Sequence, residues 1–91
     1  MKFYICYDIT EDKIRDKVVT YLETFAHRIQ YSVFYCSLDE DQVTLVKKEL
    51  LKITRNSENP LLLMIPVCKS CDKKTWMKGI PLESEDSFII A

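Results

Sequence analysis

The chain has few of the residues that make flexible connections, with one glycine and three prolines among 91 residues. So small a number leaves little room for linkers or low-complexity segments. No apolar run is long enough to cross a bilayer, and the acidic residues Asp8, Glu11 and Asp12 come too early for a signal peptide. We therefore expect a cytoplasmic protein that does not interact with membranes.

The chain also has almost no net charge, because its thirteen Lys and Arg nearly balance its fourteen Asp and Glu, which gives a formal charge of −1. A nucleic-acid-binding domain is usually basic, so any such contact must come from a local patch or from an assembly. Hydrophobic residues make up 47% and charged residues 30%, which is typical of a folded globular protein. The length predicts one domain, residues 1–91, with a single core.

Metal-site and redox signals are weak. The one histidine is His27, and the four cysteines include Cys6 and Cys36 in apolar patterns typical of buried positions. Cys68 and Cys71 have the spacing of half a zinc site, but no second pair follows, so we predict no zinc within one chain. A redox pair is the other alternative, and it is disfavoured because no amphipathic helix obviously follows. We expect two reduced thiols in a turn.

The segment Lys2–Asp8 is the clearest strand. Its apolar residues fall on both alternating faces, which indicates a central strand covered on two sides. The strand ends on a carboxylate, Asp8, for which there are two interpretations. Asp8 and Glu11 have the spacing of a helix cap, or Asp8 is a ligand for a divalent metal ion. Spacing alone favours the cap.

A helix is predicted next, from about Glu11 to Phe25, with Thr10 as its N-cap. Its apolar stripe consists of Ile14, Val18, Tyr21, Leu22 and Phe25. Lys13, Arg15 and Lys17 lie off that stripe, and charges of this kind usually form a solvated surface. These three residues are candidates for a functional role because they lie within a few turns of Asp8.

The segment Arg28–Leu38 is strongly β in composition but long for one strand. It is therefore predicted to form two short antiparallel strands that turn near residues 30–32. Arg28, at the start, has a guanidinium that could bind a phosphate or a carboxylate.

A second helix is predicted from the cap spacing of Asp39 and Gln42, and it should end around residues 54–57. Leu61–Val67 then reads as a buried strand with a proline near its end. Trp76 and Met77 suggest a small strand in a lysine-rich segment. The apolar end of the chain, residues 87–91, is too short to stand alone and should add to the edge of a sheet.

The predicted order, β-α-β-β-α-β, is that of the ferredoxin-like α+β fold, an antiparallel sheet with two helices on one face. The other face of such a sheet is uncovered. Because the first strand is apolar on both faces, burial of that surface requires a second subunit. We expect a homodimer packed sheet to sheet.

Three blocks carry a resemblance to a known family: Tyr-Asp-Ile-Thr at residues 7–10, Arg-Ile-Gln-Tyr-Ser-Val-Phe at residues 28–34, and Pro-Val-Cys at residues 66–68. With this order over nearly the whole chain, the sequence resembles the second of the CRISPR-associated (Cas) families. These small proteins accompany the CRISPR integrase in spacer acquisition. The resemblance implies a homodimer in which the tail, about residues 79–91, crosses to complete the partner's sheet.

The resemblance also implies a site. The aspartate that ends the first strand, here Asp8, is expected to lie near the dimer interface and to hold Mg²⁺ or another divalent cation with its symmetry mate. Asp8 is then both the metal ligand and the catalytic residue for phosphodiester hydrolysis. The supporting residues for this site or the interface are Tyr7, Ser32 and Phe34.

Two functions from different classes follow from the resemblance. The first is an adaptor that bridges integrase subunits and holds duplex DNA through phosphate contacts. The candidate contacts are Lys13, Arg15, Lys17 and Arg28, with Lys47 and Lys48 behind them. The second is a metal-dependent endonuclease acting on RNA or duplex DNA. A third alternative is a stand-alone, toxin-like endoribonuclease of related fold.

Overall fold

A computed structural model describes residues 1–79, 81 and 82, which form a four-stranded antiparallel sheet and three helices. The strands in this part of the chain are β1 (Lys2–Asp8), β2 (His27–Gln30), β3 (Val33–Ser37) and β4 (Leu61–Val67). The helices are α1 (Asp12–Glu23), α2 (Glu40–Ile53) and α3 (Lys69–Lys74). The order β2-β3-β1-β4 makes β1 central and confirms the ferredoxin-like fold.

One face of the sheet carries the core. Phe3, Ile5 and Tyr7 of β1 point to the side covered by α1 and α2, and each is buried. The two helices contribute apolar residues three or four positions apart, as the sequence predicts. The most buried of these helical residues are Val18, Leu22, Val46 and Leu50.

The predicted division of residues 28–38 into two strands is confirmed, with the turn at residues 31 and 32. The predicted cap of α2 is confirmed as well. Asp39 Oδ1 accepts from the Gln42 N–H at 2.8 Å, and Gln42 Oε1 accepts from the Asp39 N–H at 2.9 Å. This reciprocal pair satisfies two amide groups that the first turn of a helix leaves without partners.

The predicted cap of α1 is wrong. The residue at the N-cap is Glu11, not Thr10, and no side chain caps the helix there. The Glu11 carboxylate instead accepts hydrogen bonds from the Ser57 hydroxyl at 2.6 Å and the Glu58 N–H at 2.8 Å. Asp8 makes no cap either, because three residues separate it from Asp12, the first residue of the helix.

Helix α3 was not predicted, and the small strand expected near Trp76 and Met77 is wrong, since residues 75–79 contain no strand. The helix is held against the face of the sheet that α1 and α2 leave uncovered. There the Tyr35 hydroxyl donates to the Asp72 carboxylate, 2.8 and 2.9 Å from its two oxygens. Met77 packs beside Tyr35 on Ile29. The chain's own segment therefore covers part of the face that was expected to be open.

The part of this face that the described residues leave open lies on β1 and β4. We define the open half-face as Cys6 of β1 with Leu61, Leu63 and Ile65 of β4. The strands pair Cys6 with Leu63, and Asp8 with Leu61 at the end of this surface. The three β4 side chains are 42–53% exposed.

The predicted tail strand, residues 87–91, lies outside the described residues. No helix in the described part of the chain is long and apolar enough to cross a membrane.

Candidate functional site

A cleft of about 670 Å³ lies at the carboxyl end of β1. It is bounded by the end of that strand, the first turns of α1 and the β2–β3 turn. The lining residues predicted from sequence are Tyr7, Asp8, Arg15, Arg28 and Ser32. The fold thus brings together side chains from three separate segments of the chain.

Asp8 is the exposed end of an otherwise partly or fully buried strand. Alternation along β1 puts its side chain on the same face as Cys6, next to the open half-face. Among residues 1–79, 81 and 82, its carboxylate forms no hydrogen bond or ion pair. An exposed carboxylate in this state is available to a cation or to a partner subunit.

Arg15 shapes the loop that follows Asp8. One of its guanidinium nitrogens donates to the Ile9 carbonyl at 3.0 Å, and the other pairs closely with Asp12. Because the Arg15 guanidinium already donates to a carbonyl and pairs with a carboxylate, the first role of Arg15 is to hold the β1–α1 loop. A guanidinium has five N–H donors, so a phosphate can still be bound.

Arg28 and Tyr7 converge on the β2–β3 turn. The Arg28 guanidinium donates to the Tyr31 carbonyl at 2.9 Å, and the Tyr7 hydroxyl donates to the same oxygen at 2.6 Å. Arg28 also lies over the rings of Tyr31 and Phe34, 5.6 and 5.7 Å from their centroids. Burial raises the pKa of Tyr7, while the positive charge of Arg28 acts in the opposite direction. The guanidinium is therefore held in one orientation at the wall of the cleft.

Three other predicted residues, Lys13, Lys17 and Phe34, do not line the cleft. Lys13 and Lys17 are exposed on α1 but do not line the cleft. Phe34 is fully buried in the core, where it lies beneath Arg28. The Ser32 carbonyl accepts from the Tyr7 N–H at 3.2 Å, which ties the turn to β1.

Sequence reasoning missed other residues that line the cleft, chiefly Asp16, Val19 and Tyr31. Helical spacing offered one signal, because Val19 is four positions after Arg15 and lies on the same side of α1. Asp16 adds a second negative charge, so the cleft contains two arginines and two aspartates. Its charge is therefore balanced rather than strongly basic.

A divalent metal ion fits this site only in part. In the described ranges, no group of three or more His, Cys, Asp or Glu side chains could hold a metal ion. Mg²⁺ commonly binds through one or two carboxylates, with water and substrate phosphates as the other ligands. The exposed Asp8 of one protomer supplies one carboxylate ligand, and Asp8 of a second copy related by two-fold symmetry would supply a second.

Comparison with known proteins gives a consistent result. The profile of a family described as "CRISPR associated protein Cas2" matches residues 1–75. The chain is 30% identical over 93 residues to the "CRISPR-associated endoribonuclease Cas2 1" of Chloroflexus aurantiacus, covering 99% of this chain and 100% of the relative. It is 32% identical over 82 residues to the "CRISPR-associated endoribonuclease Cas2 4" of Rhodospirillum rubrum.

The Rhodospirillum match covers 90% of this chain but only 65% of the relative, so the chain spans about two thirds of that protein. Among solved structures, the crystal structure of Streptococcus pyogenes Cas2 is similar, with a TM-score of 0.73 and 20% identity. The match covers 87% of this chain and 100% of that one. At this identity the likeness concerns the fold alone.

Proposed function

The chain belongs to the Cas2 family of CRISPR-associated proteins, and on this premise we propose that it acts as a homodimeric adaptor in spacer acquisition. In this role the dimer holds duplex DNA and bridges subunits of the CRISPR integrase. The observation that carries the proposal is the open half-face beside Asp8.

The open half-face supports a dimer because it is apolar and continuous. Leu61, Leu63 and Ile65 project from the same side of β4 and are 53%, 46% and 42% exposed. Cys6 of the central strand extends this surface. A two-fold contact between two such surfaces removes both from water, and an isologous contact pairs each patch with its own copy. Asp8 ends the same surface, so the two carboxylates border the interface.

Phosphate contact is the proposed mode of DNA binding. Lys13 and Lys17 are exposed four positions apart on α1, where their side chains can adjust to the position of DNA phosphates. Arg15 and Arg28, in contrast, are held in the cleft by hydrogen bonds to backbone carbonyls. A dimer doubles this set, which offsets the near-neutral charge of one chain. Such contacts position a duplex without reading its sequence.

A second candidate function is metal-dependent cleavage of RNA or duplex DNA. It is favoured by the carboxylate of Asp8, which forms no hydrogen bond or ion pair with the described residues, and by the endoribonuclease names of the relatives. When bound, Mg²⁺ would activate water and stabilise charge on a phosphodiester. Asp8 would hold the ion, and Arg15 and Arg28 would orient the substrate phosphate. A stand-alone, toxin-like ribonuclease differs from this only in acting without an integrase.

The test is spacer integration reconstituted with the cognate integrase, comparing the wild type with Asp8→Asn. Cleavage of RNA and duplex DNA with Mg²⁺ is followed in parallel, and each protein is checked for dimeric mass. We expect Asp8→Asn to support integration while cleavage is lost, because the adaptor needs the dimer and the nuclease needs the carboxylate.

Asp41→Asn, an exposed change in α2 far from the cleft, is the matched control and should alter neither activity. If integration proceeds equally well with no protein added, the adaptor proposal is wrong. If an intact Asp8→Asn dimer loses both activities, a purely structural role is excluded.

A further inference from the structure

The Cys68-Lys-Ser-Cys71 segment plays no part in the proposed function, and its structure differs from the expected turn. Cys68 is the residue before α3, and Cys71 lies within the first turn of that helix. Both are free and exposed. The motif therefore opens a short helix of six residues instead of forming only a turn.

The two cysteines are in direct contact. The Cys71 N–H donates to Cys68 Sγ at 3.4 Å, and Ser70 Oγ lies 3.3 Å from the same sulfur. These hydrogen bonds, led by that of Ser70, lower the pKa of Cys68 to about 7, and the same contact raises the pKa of Cys71. The pair is thus asymmetric, with one sulfur favoured as thiolate and its neighbour as thiol.

A separate cleft of about 370 Å³ opens beside Cys68. Two lysines line it, Lys2 from the start of β1 and Lys69 from the start of α3. The other lining residues are Met1, Ser37 and Val67. A cleft that combines a nucleophilic sulfur with two ammonium groups suits a small, negatively charged ligand.

The other two thiols lack these features. Cys36 is buried in the core and burial raises its pKa to about 11, while burial also raises the pKa of the half-buried Cys6. The helix that carries Cys71 is held to the sheet through Asp72 and Tyr35. Cys68 and Cys71 therefore stay adjacent and exposed on a fixed part of the fold.

We propose that Cys68 and Cys71 form a redox-active dithiol that reacts with small disulfides bearing carboxylates. The Cys68 thiolate attacks one sulfur of the disulfide, whose S–S bond breaks to release one thiolate and leave a mixed disulfide on Cys68. Cys71 then loses its proton to solvent and attacks the Cys68 sulfur, which releases the second thiolate. The protein dithiol is oxidised by two electrons, and the small disulfide is reduced to two thiols. This chemistry is independent of the role in spacer acquisition.

The experiment uses the full chain, with oxidised glutathione as the probe and mass mapping of alkylated peptides as the readout. We expect a Cys68–Cys71 disulfide in the wild type and a stable glutathione adduct on Cys68 in Cys71→Ser. Cys68→Ser should react at least tenfold more slowly. Cys36→Ala, which removes a buried thiol that lines neither cleft, is the matched control and should behave like the wild type.

Three results would overturn the proposal. They are an absence of the Cys68–Cys71 disulfide in the wild type, an adduct that forms equally on Cys68 and Cys71 in the single variants, or a disulfide that joins two chains instead. All three variants keep the backbone N–H of Cys71 and should show wild-type circular dichroism, so a loss of reaction cannot be ascribed to unfolding.

A second arm tests the charge of the ligand with cystamine, a cationic disulfide. The wild type should react faster with oxidised glutathione, and Lys69→Gln should reduce this preference about threefold. Lys52→Gln, which removes an exposed lysine of α2 that does not line this cleft, should leave the preference unchanged. An equal preference in wild type and Lys69→Gln would contradict the assigned ligand class.

Discussion

At the scale of single residues, Glu11 shows how one side chain joins distant parts of the chain. Its carboxylate accepts from the Ser57 hydroxyl and the Glu58 N–H, which follow α2. These hydrogen bonds, led by that of Ser57, lower the pKa of Glu11 below its ordinary value. The residue at the start of α1 therefore fixes the end of the α2 segment.

We predict that Glu11→Gln destabilises the protein at pH 7, and that the difference disappears in acid. A carboxylate whose pKa is lower in the folded state stabilises that state above its unfolded pKa, and this contribution is lost as the pH falls through the folded pKa. The measurement is the free energy of unfolding by urea from pH 7 to pH 3. Glu58→Gln, which keeps the backbone donor, is the control. A difference independent of pH would contradict the assignment.

Asp8 illustrates which features of the candidate site can be predicted from sequence and which cannot. Its place at the end of an apolar strand was visible in the sequence, and so was the choice between a cap and a ligand. The cap interpretation fails because Glu11 occupies the N-cap. The arginine contacts were not visible, since the carbonyls of Ile9 and Tyr31 become acceptors only when the loops are folded.

At the scale of elements, α3 is the main departure from the predicted fold. Six residues are too few for a hydrophobic stripe to be recognised, and isolated helices of this length are unstable in water. Its stability comes from contact with the sheet, above all between Asp72 and Tyr35. Burial, followed by the hydrogen bond to Asp72, raises the pKa of Tyr35.

We predict that Tyr35→Phe releases α3 while leaving the sheet intact. The hydroxyl bonds to a charged group, so its loss should cost about 1 to 2 kcal/mol of unfolding free energy. Amide hydrogen exchange should accelerate in α3 but not in β3. Tyr31→Phe, at a side chain that is 72% exposed, should change neither measurement. Unchanged exchange in α3 would show that Met77 and its neighbours hold the helix without the hydroxyl.

At the scale of the whole molecule, α3 determines which surface is left for a partner. The expected homodimer would have used the entire uncovered face of the sheet. Instead Met77 packs on Ile29 and Tyr35, and the Leu82 N–H donates to the Ile29 carbonyl at 3.1 Å. The proposed interface is therefore confined to the open half-face on β1 and β4.

We predict that Leu63→Glu converts the proposed dimer to a folded monomer. A carboxylate at the centre of the open half-face would meet its symmetry mate in an apolar contact, where burying charge is costly. Mass measured by light scattering should halve, while circular dichroism is unchanged because Leu63 is 46% exposed in the protomer. Leu45→Glu, at a more exposed leucine of α2, is the control. A dimeric Leu63→Glu protein would place the interface elsewhere.

We also predict that replacing Lys13 and Lys17 with alanine weakens duplex DNA binding without regard to sequence. The proposed dimer carries four of these lysines, so if each contacts one phosphate, the slope of log K against log salt concentration should decrease in magnitude by about 4. The charge-matched control is alanine at Lys73 and Lys74 of α3, at the opposite end of the sheet from Asp8. If the slope is unchanged when Lys13 and Lys17 are replaced, or if both double variants change it equally, α1 does not make the proposed phosphate contacts.

Sequence alone determined the order of the elements, the central position of β1 and the capping box of α2. These features depend on local periodicity and on residues three positions apart, which remain visible in a linear chain. The family resemblance added Asp8 as a candidate site residue. The position of α3, the extent of the open half-face and the meeting of Arg15 and Arg28 at one cleft were set by tertiary structure. Each depends on contacts between residues far apart in sequence, whose energies exist only once the chain has folded.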